Sequence, residues 1–201
     1  MKPGKPLIAL PAFAAGAVVF LAVWPLSASP MIVFVTAEGE TVTPRFDPAA
    51  FRDTRWYELG PKDWDPFAQT AALRRDIGSL RDSDPRAKEL LRGVQEIWTR
   101  APTNPDLDGK AIRIPGYVVP LDRGPLGMSE FLLVPYFGAC IHSPPPPSNQ
   151  ILRVSLPAHA KGLKSMDQVW VRGTLRIARS ETAHGASAYE LSAVTVEPYV
   201  R

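Results

Sequence analysis

Cys140 and His142 stand two positions apart in the stretch Glu130 to Gln150, E-F-L-L-V-P-Y-F-G-A-C-I-H-S-P-P-P-P-S-N-Q, which also holds four consecutive prolines. In extended backbone, residues i and i+2 project to the same side, so a thiolate and an imidazole at this spacing can converge on one point. Such a pair suits zinc or copper, and the sulfur would equally hold Cu(I). Two ligands do not make a site. Glu130, His159 and His184 are the candidates to complete one, each in a separate strand or loop. Structural zinc sites normally show two closely spaced ligand pairs, and this chain has one. The competing reading is a buried, inert cysteine whose neighbouring histidine is hydrogen-bonded and orders the proline run.

The same two residues would form a thiol nucleophile if His142 lowered the pKa of Cys140, with Asn149 the nearest group able to orient the imidazole. No nucleophile elbow or capping helix accompanies them, so no catalytic residue is assigned and the chain reads as a non-enzyme. Disulfide exchange normally needs a second cysteine, and there is only one. The third class is binding without chemistry. Tyr136 and Phe137, the arm of Pro144, Pro145, Pro146 and Pro147, and the amides of Asn149 and Gln150 would form an aromatic and proline-lined groove for a partner protein or peptide. His159 in A-H-A-K-G and His184 in A-H-G-A-S read as exposed turn histidines without a role.

These residues need elements to position them. Ser129 to Phe137 has strand length and composition, and Gly138 frees the backbone just before Cys140. The four prolines offer no amide donors, so they end the strand and favour a stiff polyproline II arm. Around this segment the alternation of apolar residues predicts five strands, at Lys110 to Leu121, Ser129 to Phe137, Ile151 to Leu156, Gln168 to Ala178 and Ala188 to Glu197. Gly173 can bend the fourth. Upstream, Asp65 before Pro66 and Asp84 before Pro85 are helix-start signals. Phe67, Leu73, Ile77 and Leu80 fall near one face of the first helix, and Leu90, Leu91, Val94, Ile97 and Trp98 form a stripe on the second. Both stripes read as packing surfaces. Thr36 to Pro66 is a polar connector whose Trp56, Tyr57, Leu59 and Trp64, with Phe67 just after it, dock on the later domain. Ala101 to Gly109 is turn-rich and marks a boundary.

Lys2 and Lys5 precede a run from Leu7 to Leu26 without a charged residue. A run of that length enters a membrane, either as a signal peptide cut near Ser27 and Ser29 or as an uncleaved anchor. Lysines before it and Glu38 and Glu40 after it place the later residues outside the cytoplasm, in the periplasm. The whole is an α+β chain: residues 1–35 a signal peptide or anchor, 36–106 a connector with two short helices, and 107–201 a five-stranded OB-like β-barrel or sheet. A closed OB-like barrel and an open sheet covered by the helices both remain. With 201 residues and 45% hydrophobic composition the chain can bury a core. The net charge of +3 is spread without a basic run, which argues against nucleic acid as a partner. The 22 prolines indicate many rigid turns. A single cysteine excludes an internal disulfide and leaves Cys140 buried, metal-bound, reactive or paired with another chain.

The hallmark F-L-L-V-P-Y-F-G-A-C-I-H-S-P-P-P-P-S-N-Q resembles that of a family of bacterial envelope proteins, domain of unknown function 3299. The resemblance extends to W-Y-E-L-G-P-K-D-W at Trp56 to Trp64, G-K-A-I-R-I-P-G-Y-V-V-P-L-D at Gly109 to Asp122 and V-W-V-R-G-T-L at Val169 to Leu175. It implies a periplasmic or membrane-tethered location, and some members resemble products encoded beside transporter genes of the zinc response. From residues and resemblance together, the expected function is that of a non-catalytic accessory of an envelope transport system. Its expected partners are transporter components and the membrane, and zinc is its candidate cofactor.

Overall fold

The computed structural model describes residues 32–81, 83–139 and 145–199. In chain order its elements are β1 (Val33–Val35), β2 (Thr41–Val42), β3 (Arg52–Asp53), α1 (Pro66–Gly78), α2 (Pro85–Thr99), β4 (Ala111–Pro120), β5 (Met128–Val134), β6 (Leu152–Lys161), β7 (Gln168–Thr182) and β8 (Gly185–Pro198). The chain is α+β, with two helices and an eight-stranded, mostly antiparallel sheet.

Both helices start where local chemistry demands. The Asp65 carboxylate accepts from the Phe67 amide at 2.8 Å and that of Asp84 from the Arg86 amide at 2.9 Å, each followed by a proline in the first turn. An N-cap satisfies an amide that the helix cannot, and proline loses nothing at a position where its missing donor would be idle. The helices pack on each other. Arg179 of β7 fastens the second to the sheet: its guanidinium donates to the carbonyls of Thr99 at 3.0 Å and Ala101 at 2.8 Å. A cation suits the negative end of a helix.

The five long strands pair in a closed circuit. β4 pairs with β5, β5 with β6 and β7 with both β4 and β8, all antiparallel, and β6 pairs with β8 in parallel. Strand β4 shows why: along it buried and partly exposed residues alternate, so Ile112, Ile114 and Val118 enter the core. They meet Phe131 and Leu133 of β5, Val154 of β6, Val171 and Leu175 of β7 and Leu191 of β8. Three short strands come from the segment before the first helix, where sequence periodicity predicts none. β1 adds to β6, β2 to β1, and β3 pairs in parallel with β4. Phe34 and Leu59 from this segment belong to the same core cluster.

Two expectations need correction. His159 does not sit in a turn: β6 runs on to Lys161, and His159 pairs with Val35 of β1. Pro157, just past the predicted end of that strand at Leu156, lies where the β5–β6 register shifts between Met128↔Ala160 and Glu130↔Ser155, a bulge in which no ladder amide is required. The stripe of α1 is a packing surface only in part: Leu73, Ile77 and Leu80 are half-buried, with Leu73 against Gly93 of α2, but Phe67 at its start is not covered. Phe67 is 57% exposed and the one buried residue of that helix is Thr70. Among the described residues no helix is long and apolar enough to cross a membrane. The run from Leu7 to Leu26, for which the sequence predicts membrane insertion, lies outside them.

Candidate functional site

Cys140, His142 and Pro144 lie outside the described residues. The other three metal candidates are dispersed. Glu130 in β5 is bound by Arg153, whose guanidinium reaches both carboxylate oxygens at 2.8 and 3.1 Å, and whose pKa that carboxylate raises. His159 is on β6. His184 occupies the turn between β7 and β8, its amide donating to the Thr182 hydroxyl at 3.2 Å. Among the described residues no group of three or more His, Cys, Asp or Glu side chains is placed to hold a metal ion.

What the chain does build beside the proline arm is a groove of about 500 Å³. One wall is the 3-10 turn Trp56–Leu59, from which Trp56 and Tyr57 face the space, continued by Trp64. A second wall is the start of α1, Pro66 and Phe67, with Trp98 from the end of α2. The third is Pro135 and Tyr136, just past β5, together with Pro146, Pro147 and Gln150 of the arm. β5 ends at Val134, three residues before the expected limit, because Pro135 cannot donate to the ladder. The chain then turns at Gly138, φ +81°, where glycine alone is unstrained. That turn parts the two aromatics: Tyr136 faces the groove, while Phe137 packs edge-on against Tyr117 at 5.9 Å.

The indole N–H groups do not serve a ligand. Trp56 Nε1 donates to the Pro115 carbonyl at 2.7 Å, Trp64 Nε1 to Gln69 Oε1 at 3.2 Å and Trp98 Nε1 to the Pro66 carbonyl at 3.4 Å. The rings are therefore fixed by their polar edges and present their apolar faces. Two arginines stand at the rim: Arg74 over the Phe67 ring at 4.9 Å and Arg55 at 6.0 Å from the Tyr57 ring.

The polar residues of the hallmark work behind the wall. Gln150 Nε2 donates to the Trp56 carbonyl at 2.9 Å, and Asn149, fully buried, donates to the Pro102 carbonyl at 2.8 Å. Gly60 lets them close: a Cβ there would stand 2.9 Å from the Trp64 ring and 3.2 Å from the Asn149 amide nitrogen. The side-chain oxygen Oδ1 of Asn149 is buried without a partner among the described residues. Tyr189 of β8 completes the support, its hydroxyl donating to the Leu59 carbonyl at 2.6 Å while the Asn104 amide donates to it at 2.7 Å. Burial raises its pKa above the ordinary 10.0. Asn149 thus braces the groove from behind its wall, and Gln150 from within the lining.

The motif W-Y-E-L-G-P-K-D-W and the hallmark, far apart in sequence, meet at this groove. The family described as "Protein of unknown function (DUF3299)" matches residues 56–198, most of the chain. The chain belongs to the DUF3299 family. A crystal structure of a DUF3299 family protein from Pseudomonas aeruginosa PAO1 is similar to it at 33% identity and a TM-score of 0.58, over 76% of this chain and 98% of that one. No curated protein matches. Membership in the DUF3299 family brings no assigned chemistry, so function has to be argued from the groove. Trp56, Trp64, Phe67 and Trp98 are the residues that sequence reasoning passed over as packing groups. The signal that could have found them was three aromatics within nine residues, far more than a connector needs.

Proposed function

We propose that this protein is a membrane-tethered periplasmic accessory of an envelope transport system that acts by binding, and that its aromatic and proline groove holds an apolar segment of a partner protein. The observation that carries this reading is the state of the indole donors. Grooves that read polyproline backbones depend on aromatic faces and on polar groups free to meet ligand carbonyls. Here all three indole N–H groups are engaged within the chain, so affinity has to come from burying apolar surface. The arginines at the rim favour a partner whose apolar anchors are flanked by carboxylates.

The closed circuit of pairings reads as a five-stranded barrel of the OB kind, with β4 to β8 in the order β4-β5-β6-β8-β7 and its ends meeting. The tether and the periplasmic location are supported by Lys2 and Lys5 before the uncharged run and acidic residues after it. The role in transport is supported by the resemblance to products encoded beside transporter genes. Zinc is a separate proposal, supported by the Cys140 and His142 spacing alone, and metal analysis of the full chain beside Cys140→Ser decides it. The reading of the groove does not depend on it.

Site-specific photocross-linking in living cells tests the binding role. A cross-linking residue at Tyr57, 70% exposed at the groove, should trap a discrete partner that Phe67→Ser abolishes. The same residue at Val42, an exposed apolar position that does not line the groove, should not trap it. Identical adducts at both positions, or none at Tyr57, would sink the proposal.

A further inference from the structure

We propose that a second concavity, at the end of the sheet where β1 joins, binds the phosphate of an anionic phospholipid headgroup and lays that end of the domain on the membrane. The site measures about 550 Å³. The β4–β5 loop contributes Arg123 and Gly127 to it, and the end of β6 with the following turn contributes Lys161, Gly162 and Lys164. No carboxylate lines it, and none of the three exposed cations forms an ion pair among the described residues. Two acids flank it without lining it, each hydrogen-bonded to neutral donors nearby in the chain. The Asp122 carboxylate accepts from the amides of Ser129 and Glu130, both at 3.0 Å, and from the Ser129 hydroxyl. Asp167 accepts from the Lys164 amide at 2.8 Å.

Between the cations the lining is uncharged, with the glycines of the two loops beside Pro125, Met128 and Leu163. At Gly127, φ +121°, a Cβ would stand 2.6 Å from the Ala160 carbonyl oxygen, so only glycine lets the loop lie this close to β6. A concavity rimmed by three cations that form no ion pair among the described residues, and lined by no carboxylate, suits a compact anionic group such as the phosphodiester of a headgroup.

Topology favours lipid over a soluble anion. Val33 pairs with Lys161, so the N-terminal end of β1, seven residues after the uncharged run ends at Leu26, lies beside these cations. The aromatic groove lies past the other end of β6, about 30 Å away at the rise of an extended strand. With the cations on the bilayer, the groove points away from it, towards partners. The orientation rests on the tethered reading proposed above, and the experiment separates the two.

The full chain is mixed with vesicles of phosphatidylcholine alone or with an equal part of phosphatidylglycerol, recovered by flotation, and examined by hydrogen–deuterium exchange. Amides of residues 121–128 and 160–167 should be protected only with phosphatidylglycerol. Each cation replaced by glutamine at Arg123, Lys161 and Lys164 should weaken that protection about fivefold, the effect of one basic residue near an anionic surface. Unchanged protection in the triple variant, equal protection on both vesicles, or full protection by inorganic phosphate with neutral vesicles would overturn the lipid site. Flotation with neutral vesicles reports on the tether by itself. If the chain floats only with phosphatidylglycerol, the tether fails and the site stands; if it floats with neither, both fail.

Discussion

At the scale of residues, Tyr189 shows how the groove is fixed. Its ring is fully buried and its hydroxyl serves two segments, Leu59 behind the Trp56 turn and Asn104 in the linker. Tyr189→Phe keeps the packing and removes both bonds, so urea unfolding should show a loss of about 1–2 kcal/mol. The emission of the groove tryptophans should also shift to the red as the turn loosens. The raised pKa gives a second handle. Below pH 10.0 the hydroxyl is protonated in both folded and unfolded chains and its contribution is whole. As pH rises above that, the unfolded phenol ionises first, and stability falls until the higher native pKa is passed. Tyr189→Phe should remove this part of the alkaline loss. The two helix caps were legible in the sequence because a cap is decided within four residues. The bond from Tyr189 to Leu59 spans 130 positions and leaves no local signature.

At the scale of elements, the β7–β8 ladder depends on one glycine. A Cβ on Gly173 would stand 2.4 Å from the Ser192 carbonyl oxygen and 2.9 Å from the Ala193 Cα, at the place where the register between the strands shifts. Backbone atoms cannot move aside as a flexible side chain would. Gly173→Ala should therefore cost about 3 kcal/mol, seen as a lowered urea midpoint, whereas Gly78→Ala, with open space around it in α1, should not destabilise. A bend at Gly173 could be read from sequence because glycine in a strand interior has few other reasons to be there. The length of β6 could not: Pro157 is a sound stop signal, and it is overridden by a bulge that only the pairing with β5 creates. The short strands β1 and β3 were equally hidden, since two or three residues are too few for an alternation to show.

At the scale of the molecule, five of the eight strands and both helices were visible as patterns, while the site was half visible. The hallmark announced Tyr136 and the proline arm, but the opposite walls come from Trp64, Phe67 and Trp98, which any helix or connector would use for packing. Only the assembled fold shows that Phe67 faces open space and that the indole edges are already bonded. Asn149 and Gln150 look like ligand-binding amides in sequence and prove to be braces holding the Pro102 and Trp56 carbonyls. The central claim is that this groove is preformed and apolar. Titration of the full chain with a neutral naphthylamine dye, followed by fluorescence, tests it most directly. The account predicts saturable binding at one site, weakened about tenfold by Phe67→Ser through the loss of one aromatic face and unchanged by Phe137→Ser, whose ring packs on Tyr117. Absence of saturable binding, or equal binding by wild type and Phe67→Ser, would contradict it.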